Sequence, residues 1–162
     1  MKTITRSHLR KDLFYTFDIE TTTLITGLDE KNHPVRNAII WSSQFYDGRE
    51  YIQTRSLADT IKRLKLIEEY NKDNPYKVVV FVHNLSYEFQ FLRTIYAFQP
   101  EEVFAVDRRK ILKCTMYQRR LEFRCTYLHS NMSLKAYLQK MGVEHQKISG
   151  DEFDYSKIRY PW

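Results

Sequence analysis

The stretch VVVFVHNLSYEF, residues 78–89, decides the fold of this chain. Its first five residues are apolar and mostly β-branched, which is the pattern of a core strand in a parallel sheet. The polar residues after Val82 end this strand, and Ser86 is a suitable N-cap for a helix over residues 87–96. A core strand that leads straight into a helix is typical of an α/β domain.

The chain before this stretch contains a second apolar run and a strong turn. Residues 13–19, LFYTFDI, predict another strand, buried on both faces. Turn-forming residues fill positions 26–37, and Asp47-Gly48 predicts a tight hairpin between strands. Leucine and isoleucine then recur at helical spacing, which predicts an amphipathic helix. The strands around the hairpin are predicted at residues 38–46 and 50–54, and the helix at residues 56–72.

The chain after residue 96 adds further strands and one more helix. With them the whole chain, residues 1–162, is predicted to be a single mixed α/β domain with its first strand in the centre of the sheet. The additional strands are predicted at residues 103–107, 111–117 and 121–127, the helix at residues 133–141 with Gly142 as its C-terminal cap, and an irregular tail at residues 151–162.

The charge and the aromatic content of the sequence favour a nucleic-acid partner. Lysine and arginine number 26 against 20 acids, giving a net charge of +6, and 15% of the residues are aromatic. Basic side chains attract phosphates and aromatic faces stack on unpaired bases, so one interpretation is that the protein binds single-stranded nucleic acid. The other is that the aromatics fill the core and the lysines are solvated.

Cysteine usage and hydropathy bear on the compartment of the protein. The two cysteines, Cys114 and Cys125, form no C-x-x-C pair, which argues against a disulfide scaffold and a cysteine zinc finger. No apolar run is long enough for a membrane span, and the basic start lacks the apolar segment of a signal peptide. We therefore expect a cytoplasmic protein with no membrane partner.

Two carboxylates follow the first apolar run. Side chains alternate along a strand, so Asp18 and Glu20 are expected on one side, with Cα atoms about 6.6 Å apart. Such a pair can share divalent metal ions, and hard oxygen ligands favour Mg²⁺ or Mn²⁺. The alternative is that this common D-x-E triplet only caps a turn after the strand.

A third carboxylate, Glu88, falls in the first turn of the helix after the core strand. The carboxyl ends of strands in an open α/β sheet are where sites form, so Glu88 is a candidate partner of Asp18 and Glu20. The alternative is an ordinary helix N-terminal acid stabilised by the helix dipole, worth a few tenths of a kcal/mol. In that reading Asn84 is a turn residue, His83 a surface residue and Tyr87 a core aromatic.

The motifs FDIETT (residues 17–22) and VHNLSYEF (residues 82–89) together resemble the first two exonuclease motifs of family B DNA polymerases. Their order and separation, with GDEFDY at residues 150–155, are most similar to the protein-primed, φ29-like branch. The resemblance implies an α/β, ribonuclease H-like mixed sheet flanked by helices, the DEDD-type 3′→5′ exonuclease fold. It also implies proofreading hydrolysis of single-stranded DNA 3′ ends with Mg²⁺ or Mn²⁺.

The resemblance assigns roles residue by residue. Asp18, Glu20 and Glu88 would be the catalytic metal ligands, with Glu88 standing where most of the family has aspartate. Five further residues would contact the DNA strand: Thr21, His83, Asn84, Tyr87 and Lys147.

One element of the family is missing from the sequence. A third motif, tyrosine followed four residues later by aspartate, and the polymerase domain do not occur before Trp162. The exonuclease-like domain is therefore expected to be incomplete at its C-terminus, and the isolated chain to be weakly active or inactive. Two readings follow: the exonuclease region of a viral polymerase, or a derived module that binds single-stranded DNA or a replication protein. A terminal (primer) protein and the remainder of the polymerase are the further partners expected.

Overall fold

The computed structural model of the chain describes residues 9–73 and 75–144, with only the backbone for residues 9–12. Lys147, the GDEFDY segment and the predicted tail lie outside the described residues. Within the described ranges seven strands form one sheet. The strands are β1 Leu9–Leu28, β2 Pro34–Tyr46, β3 Tyr51–Thr54, β4 Lys77–Val82, β5 Val103–Asp107, β6 Lys110–Met116 and β7 Leu121–Cys125.

The sheet is mixed, with a parallel centre and antiparallel flanks. Its order is β3-β2-β1-β4-β7-β6-β5. Strand β4 is parallel to both β1 and β7, whereas the β1–β2–β3 and β5–β6–β7 neighbours are antiparallel. The prediction of a central first strand is confirmed, and so is the parallel character of the VVVFV strand.

The described helices follow strands β3, β4 and β7 along the chain. The predicted helix after the hairpin is confirmed, and Ser56 caps it by accepting the backbone N–H of Asp59 at 3.1 Å. None of the described helices has the length and apolar character that a membrane span requires. In the described ranges the helices are α1 Leu57–Tyr70, α2 Leu85–Ile95, α3 Tyr127–Ser130 and α4 Leu134–Lys140, with a 3₁₀ turn at Pro100–Glu102.

The main core lies on one face of the sheet, beneath α1 and α2. Alternate residues of β4, Val78, Val80 and Val82, belong to it, as do Leu64 of α1 and Leu92 of α2. Because the strand residues alternate, both helices cover the same face.

Strand β1 is buried on one face only, so the prediction that both faces are buried is wrong. Tyr15, Phe17 and Ile19 are buried, whereas Phe14 is 44% exposed and Asp18 is exposed. The apolar run LFYTFDI hides this alternation because Phe14 is itself apolar. Its ring instead packs edge-on against Phe81 of β4 at 6.0 Å.

The first hairpin is longer than its sequence suggested. The turn predicted over residues 26–37 is confined to residues 29–33, where the Asp29 carboxylate accepts the backbone N–H groups of Lys31 and His33. The residues on either side pair as strands, with Gly27 opposite Val35. Residues 23–38 are exposed, so no alternating apolar pattern marks this ribbon in the sequence.

The other face of the sheet carries a buried charge network. Glu122 of β7 is 1% exposed and lies beside β4, where it accepts a hydrogen bond from Lys77 Nζ at 3.0 Å. Arg124, two residues along β7, donates to the other Glu122 oxygen at 2.7 Å through Nε. Burial raises the pKa of Glu122, but hydrogen bonds from these two cations outweigh it and the net shift is downward.

The remaining predicted elements are present with small shifts at their ends. The Asp47 hairpin is confirmed, with its carboxylate accepting the N–H groups of Arg49 and Glu50. Strand β7 ends at Cys125 rather than at residue 127 because α3 begins there. Ser133 caps α4, and Gly142 follows it with a φ of 64°, the left-handed conformation that glycine adopts readily.

Candidate functional site

Asp18 and Glu20 lie in the middle of β1, not at its end as predicted. The parallel pairing of β1 with β4 reaches Thr16 opposite Phe81, and β1 then continues as far as Leu28 paired with β2. The reading in which this D-x-E triplet caps a turn is therefore wrong. Both carboxylates stand just past the parallel part of the sheet, at the level where β4 ends.

The two side chains share one side of β1. Asp18 pairs with Gln44 and Glu20 with Ser42 in an unbroken antiparallel ladder, so their side chains point the same way. Asp18 is exposed and Glu20 is half-buried. The ladder shifts register immediately afterwards, between Glu20 and Thr21, which bends the strand and redirects the residues that follow.

The start of α2 is set by Asn84 rather than by Ser86. Asn84 has a φ of 67° and ψ of 55°, a left-handed conformation that asparagine tolerates better than most residues. The chain turns there, and the helix begins at Leu85, whose side chain is fully buried. The Ser86 hydroxyl, predicted to be the cap, accepts the backbone N–H of Ile111 in β6 at 3.0 Å.

Glu88 is turned into the protein rather than towards solvent. It is 3% exposed, in the first turn of α2. An acid that only interacts with a helix dipole is ordinarily exposed, so this burial argues against the reading in which Glu88 is an ordinary helix N-terminal acid. Its Oε2 atom has no hydrogen-bond partner among the described residues.

Asp18 and Glu88 are neighbours. The pKa of Glu88 is raised to about 8, first by burial and further by the charge of Asp18 and a hydrogen bond with its carboxyl, against a backbone hydrogen bond that lowers it. Like charges so close together favour one shared proton when no cation is bound. The strand and the helix therefore bring together two of the three predicted carboxylates.

The donor set fits a hard divalent cation in part. Two adjacent carboxylates with a buried, unpartnered oxygen are ligands that Mg²⁺ and Mn²⁺ prefer. Among residues 9–73 and 75–144, however, no group of three carboxylate, imidazole or thiol side chains is placed to hold a metal ion. Glu20 therefore does not join Asp18 and Glu88 in such a cluster.

Two predicted DNA-contact residues are in direct contact. The Thr21 hydroxyl and the Tyr87 hydroxyl share a hydrogen bond of 2.5 Å, which links β1 to α2 beside the carboxylates. Tyr87 is 42% exposed and rests edge-on against Phe91, with ring centroids 5.5 Å apart. It is not the core aromatic of the alternative reading.

His83 and Asn84 differ in their surroundings. His83 is half-buried, and its Nδ1 shares a hydrogen bond of 3.0 Å with the Thr126 hydroxyl after β7. Its ring meets Tyr127 edge-to-face, with centroids 5.7 Å apart. Asn84 is exposed beside Tyr87. Nothing in the sequence pointed to Thr126 or Tyr127, because they follow His83 by more than forty residues.

A basic groove adjoins Tyr87 on the side of α2 that faces the β5–β6 turn. Its volume is about 590 Å³. We call it the arginine groove. It is lined by Asn84, Ser86, Tyr87, Gln90, Arg93, Arg108 and Arg109. Of these residues, the sequence pointed to Asn84, Ser86 and Tyr87, whereas Arg108 and Arg109 lie between the strands predicted at residues 103–107 and 111–117 and were assigned no role.

No protein-family model and no curated protein matches the sequence. Solved structures that resemble the chain in fold include Phi29 DNA polymerase complexed with single-stranded DNA, and the same enzyme with primer-template DNA in a post-translocation binary complex. Each has a TM-score of 0.63 at 12% sequence identity over 91% of this chain. The chain spans 26% of the length of that polymerase chain. The predicted α/β, ribonuclease H-like fold with flanking helices is confirmed.

Proposed function

We propose that this chain is a polymerase-related domain that binds single-stranded DNA and hydrolyses it from the 3′ end with a divalent metal ion. One observation carries the proposal. The carboxyls of Asp18 and Glu88 meet beside the Thr21–Tyr87 hydrogen bond, at the end of the central parallel strands. An acidic pair next to an exposed aromatic ring suits a nuclease that holds an unpaired terminus.

Asp18 and Glu88 would hold the cation, with Glu20 as a further ligand if its side chain swings towards them. A Mg²⁺ or Mn²⁺ ion bound there would supply Lewis-acid stabilisation of the negative charge that builds up on the phosphate. The buried Oε2 atom of Glu88 supports this assignment, since an ion would satisfy an oxygen that is costly to leave unpaired.

The surrounding side chains would hold the DNA strand. The exposed face of Tyr87 would stack on the terminal base or sugar, while its hydroxyl keeps the ring in place through Thr21. Asn84 offers an amide beside Tyr87 for hydrogen bonds to the strand. The hydrogen bond to Thr126 would keep the His83 ring in one orientation beside the DNA strand.

A second function is favoured by one observation. The described residues bring together two carboxylates and not three, which suits weak metal binding. In this alternative the domain binds single-stranded DNA, or a replication protein such as a terminal (primer) protein, without turnover.

The two functions separate in a cleavage assay on single-stranded oligonucleotides labelled at either end. The proposal expects loss of nucleotides from the 3′ end in Mg²⁺ or Mn²⁺, none in chelator, and a 10²- to 10³-fold slower rate for Asp18→Asn with Glu88→Gln. The matched control is Glu30→Gln with Asp73→Asn, the same two types of substitution at exposed acids.

Equal rates for the site and control variants, or cleavage from the 5′ end, would contradict the proposed exonuclease. Binding without any metal-dependent cleavage in the unaltered chain would establish the second function instead.

A further inference from the structure

The arginine groove has walls from two different elements. Ser86, Gln90 and Arg93 lie four and three residues apart on α2, so they share one helix face. Arg108 and Arg109 come from the turn between β5 and β6. The groove is therefore a feature of the fold rather than of one segment, which is why no single motif reveals it.

The two walls are fastened to each other. The Ser86 hydroxyl on α2 accepts the backbone N–H of Ile111, the second residue of β6, at 3.0 Å. The turn itself is shaped by Asp107, whose carboxylate accepts the backbone N–H of Arg109 at 2.8 Å. These bonds hold the Arg108-Arg109 backbone at a fixed place opposite the helix.

The cations of the groove are available to a ligand. Arg93, Arg108 and Arg109 are all exposed, and none of them forms an ion pair with a described carboxylate. The nearest acid in the turn, Asp107, is paired with Lys110 at 3.4 Å. Three guanidinium groups around one groove, with only neutral polar side chains between them, suit an anion with repeated charges.

We propose that the arginine groove binds the sugar-phosphate backbone of a single-stranded nucleic acid whose terminus lies against Tyr87. The proposal rests on the proposed function for the direction of the strand, because Tyr87 is the residue that the groove shares with the carboxylate site. The arginines contact phosphates, and Gln90 and Asn84 contact sugars or bases. An acidic protein segment lacks the bases that the ring of Tyr87 would stack on, and for this reason nucleic acid is the occupant to which we commit.

The test is a salt titration of binding, done in chelator so that no turnover occurs. Fluorescence anisotropy of a labelled oligo-dT is measured for the unaltered chain, for Arg108→Gln with Arg109→Gln, and for Arg36→Gln with Arg49→Gln. The control pair is exposed and removes the same charge, and Arg49, like Arg109, follows an aspartate that caps its turn.

The groove pair is expected to bind about tenfold more weakly at about 0.1 M salt and to lower the salt slope by about 1 to 1.5, since each lost phosphate contact removes about 0.7 from it. The control pair should leave the slope nearly unchanged. Circular dichroism checks that both variants are folded, and the single substitutions Arg109→Gln and Arg49→Gln repeat the comparison if either pair is not.

Equal losses in both pairs, or no loss in either, would overturn the groove. Displacement of the oligonucleotide by polyglutamate of equal charge, with the same dependence on Arg108 and Arg109, would overturn the commitment to nucleic acid. A chain that binds through the groove but releases no nucleotide in Mg²⁺ contradicts the exonuclease and not the groove. A chain that cleaves normally with both Arg108 and Arg109 replaced contradicts the groove and not the exonuclease.

Discussion

Glu88 is an acid whose proton is held by the fold. Its pKa rises from the ordinary 4.5 to about 8, first through burial and then through Asp18. The unfolded chain releases this proton above pH 4.5 and the folded chain only near pH 8, so unfolding releases a proton in between. The stability that it contributes is complete below pH 4.5 and is lost as the pH rises through about 8.

In chelator, the free energy of unfolding should therefore fall by roughly 3 to 5 kcal/mol between pH 5 and pH 9. Glu88→Gln should flatten this pH dependence. At pH 9 the variant should have a larger free energy of unfolding than the unaltered chain, because the amide is neutral without a titrating proton. Urea unfolding across this range measures it, with Glu30→Gln as the exposed control. A pH dependence that survives in Glu88→Gln would show that another group titrates.

Tyr87 separates a hydroxyl role from an aromatic one. Tyr87→Phe removes the hydrogen bond to Thr21 and should cost less than about 1 kcal/mol of stability, since the pair is exposed. Tyr87→Ala removes the stacking face and should weaken single-stranded DNA binding by about 1 to 3 kcal/mol. Urea unfolding measures the first effect and anisotropy titration with labelled single-stranded DNA measures the second, with Tyr70→Ala, 81% exposed on α1, as the control. Unchanged DNA binding by Tyr87→Ala would show that the ring does not contact the DNA.

These two residues also show what the sequence can say at this scale. The acidic and aromatic residue types were visible in the motif at residues 82–89, and so was their place after a core strand. The contact of Glu88 with Asp18 and that of Tyr87 with Thr21 were not visible in the residues themselves. Each joins positions more than sixty residues apart in the chain, and local patterns carry no information on such pairing.

At the scale of elements, the beginning of α2 depends on one backbone conformation. Asn84 has a φ of 67°, where a β-carbon is unfavourable and asparagine is among the residues that tolerate it. Asn84→Gly should change stability by only a few tenths of a kcal/mol, whereas Asn84→Val should cost about 2 kcal/mol because a β-branched residue is strained there. Denaturant unfolding measures both. A valine variant as stable as the glycine variant would mean that α2 begins elsewhere in solution.

Element boundaries were predictable where a buried face imposes a pattern. Strand β4 and helix α1 follow closely from their apolar spacing. The prediction for α2 was two residues late, because a serine is a common cap whereas a left-handed asparagine leaves no spacing signal. The distal half of the first hairpin was predicted as a turn, because its strands are exposed on both faces and contain Gly27 and Pro34.

At the scale of the whole molecule, the sheet is fastened by charge as well as by apolar packing. Glu122→Gln would leave Lys77 buried without its carboxylate and is expected to cost about 3 kcal/mol. Glu69→Gln, which breaks the exposed pair with Lys72, should reduce stability far less, because solvent screens that pair. Thermal or urea unfolding compares the two. Similar losses for both would mean that water reaches Glu122.

The class of fold was predictable and the strand order was not. Strands alternating with helices predicted a mixed α/β sheet with β1 inside it. No local signal in the sequence predicts that β7 lies between β4 and β6. Nor does any predict that Glu122 lies next to β4, with Lys77 beside it. The apparent oddity of a glutamate inside the strand LEFRC is explained only by the cations that the assembled sheet supplies.

The order of the central strands also governs how the chain reaches its native state. Before β4 has been synthesised, the nascent chain can form the β1–β2–β3 meander and α1 by local contacts. The apolar face of this meander, which includes Phe17 and Phe45, stays partly uncovered until β4 and β7 have been synthesised. Non-local parallel pairing slows folding towards milliseconds or longer and lengthens this exposure. The half-synthesised protein is therefore the form in greatest need of a chaperone.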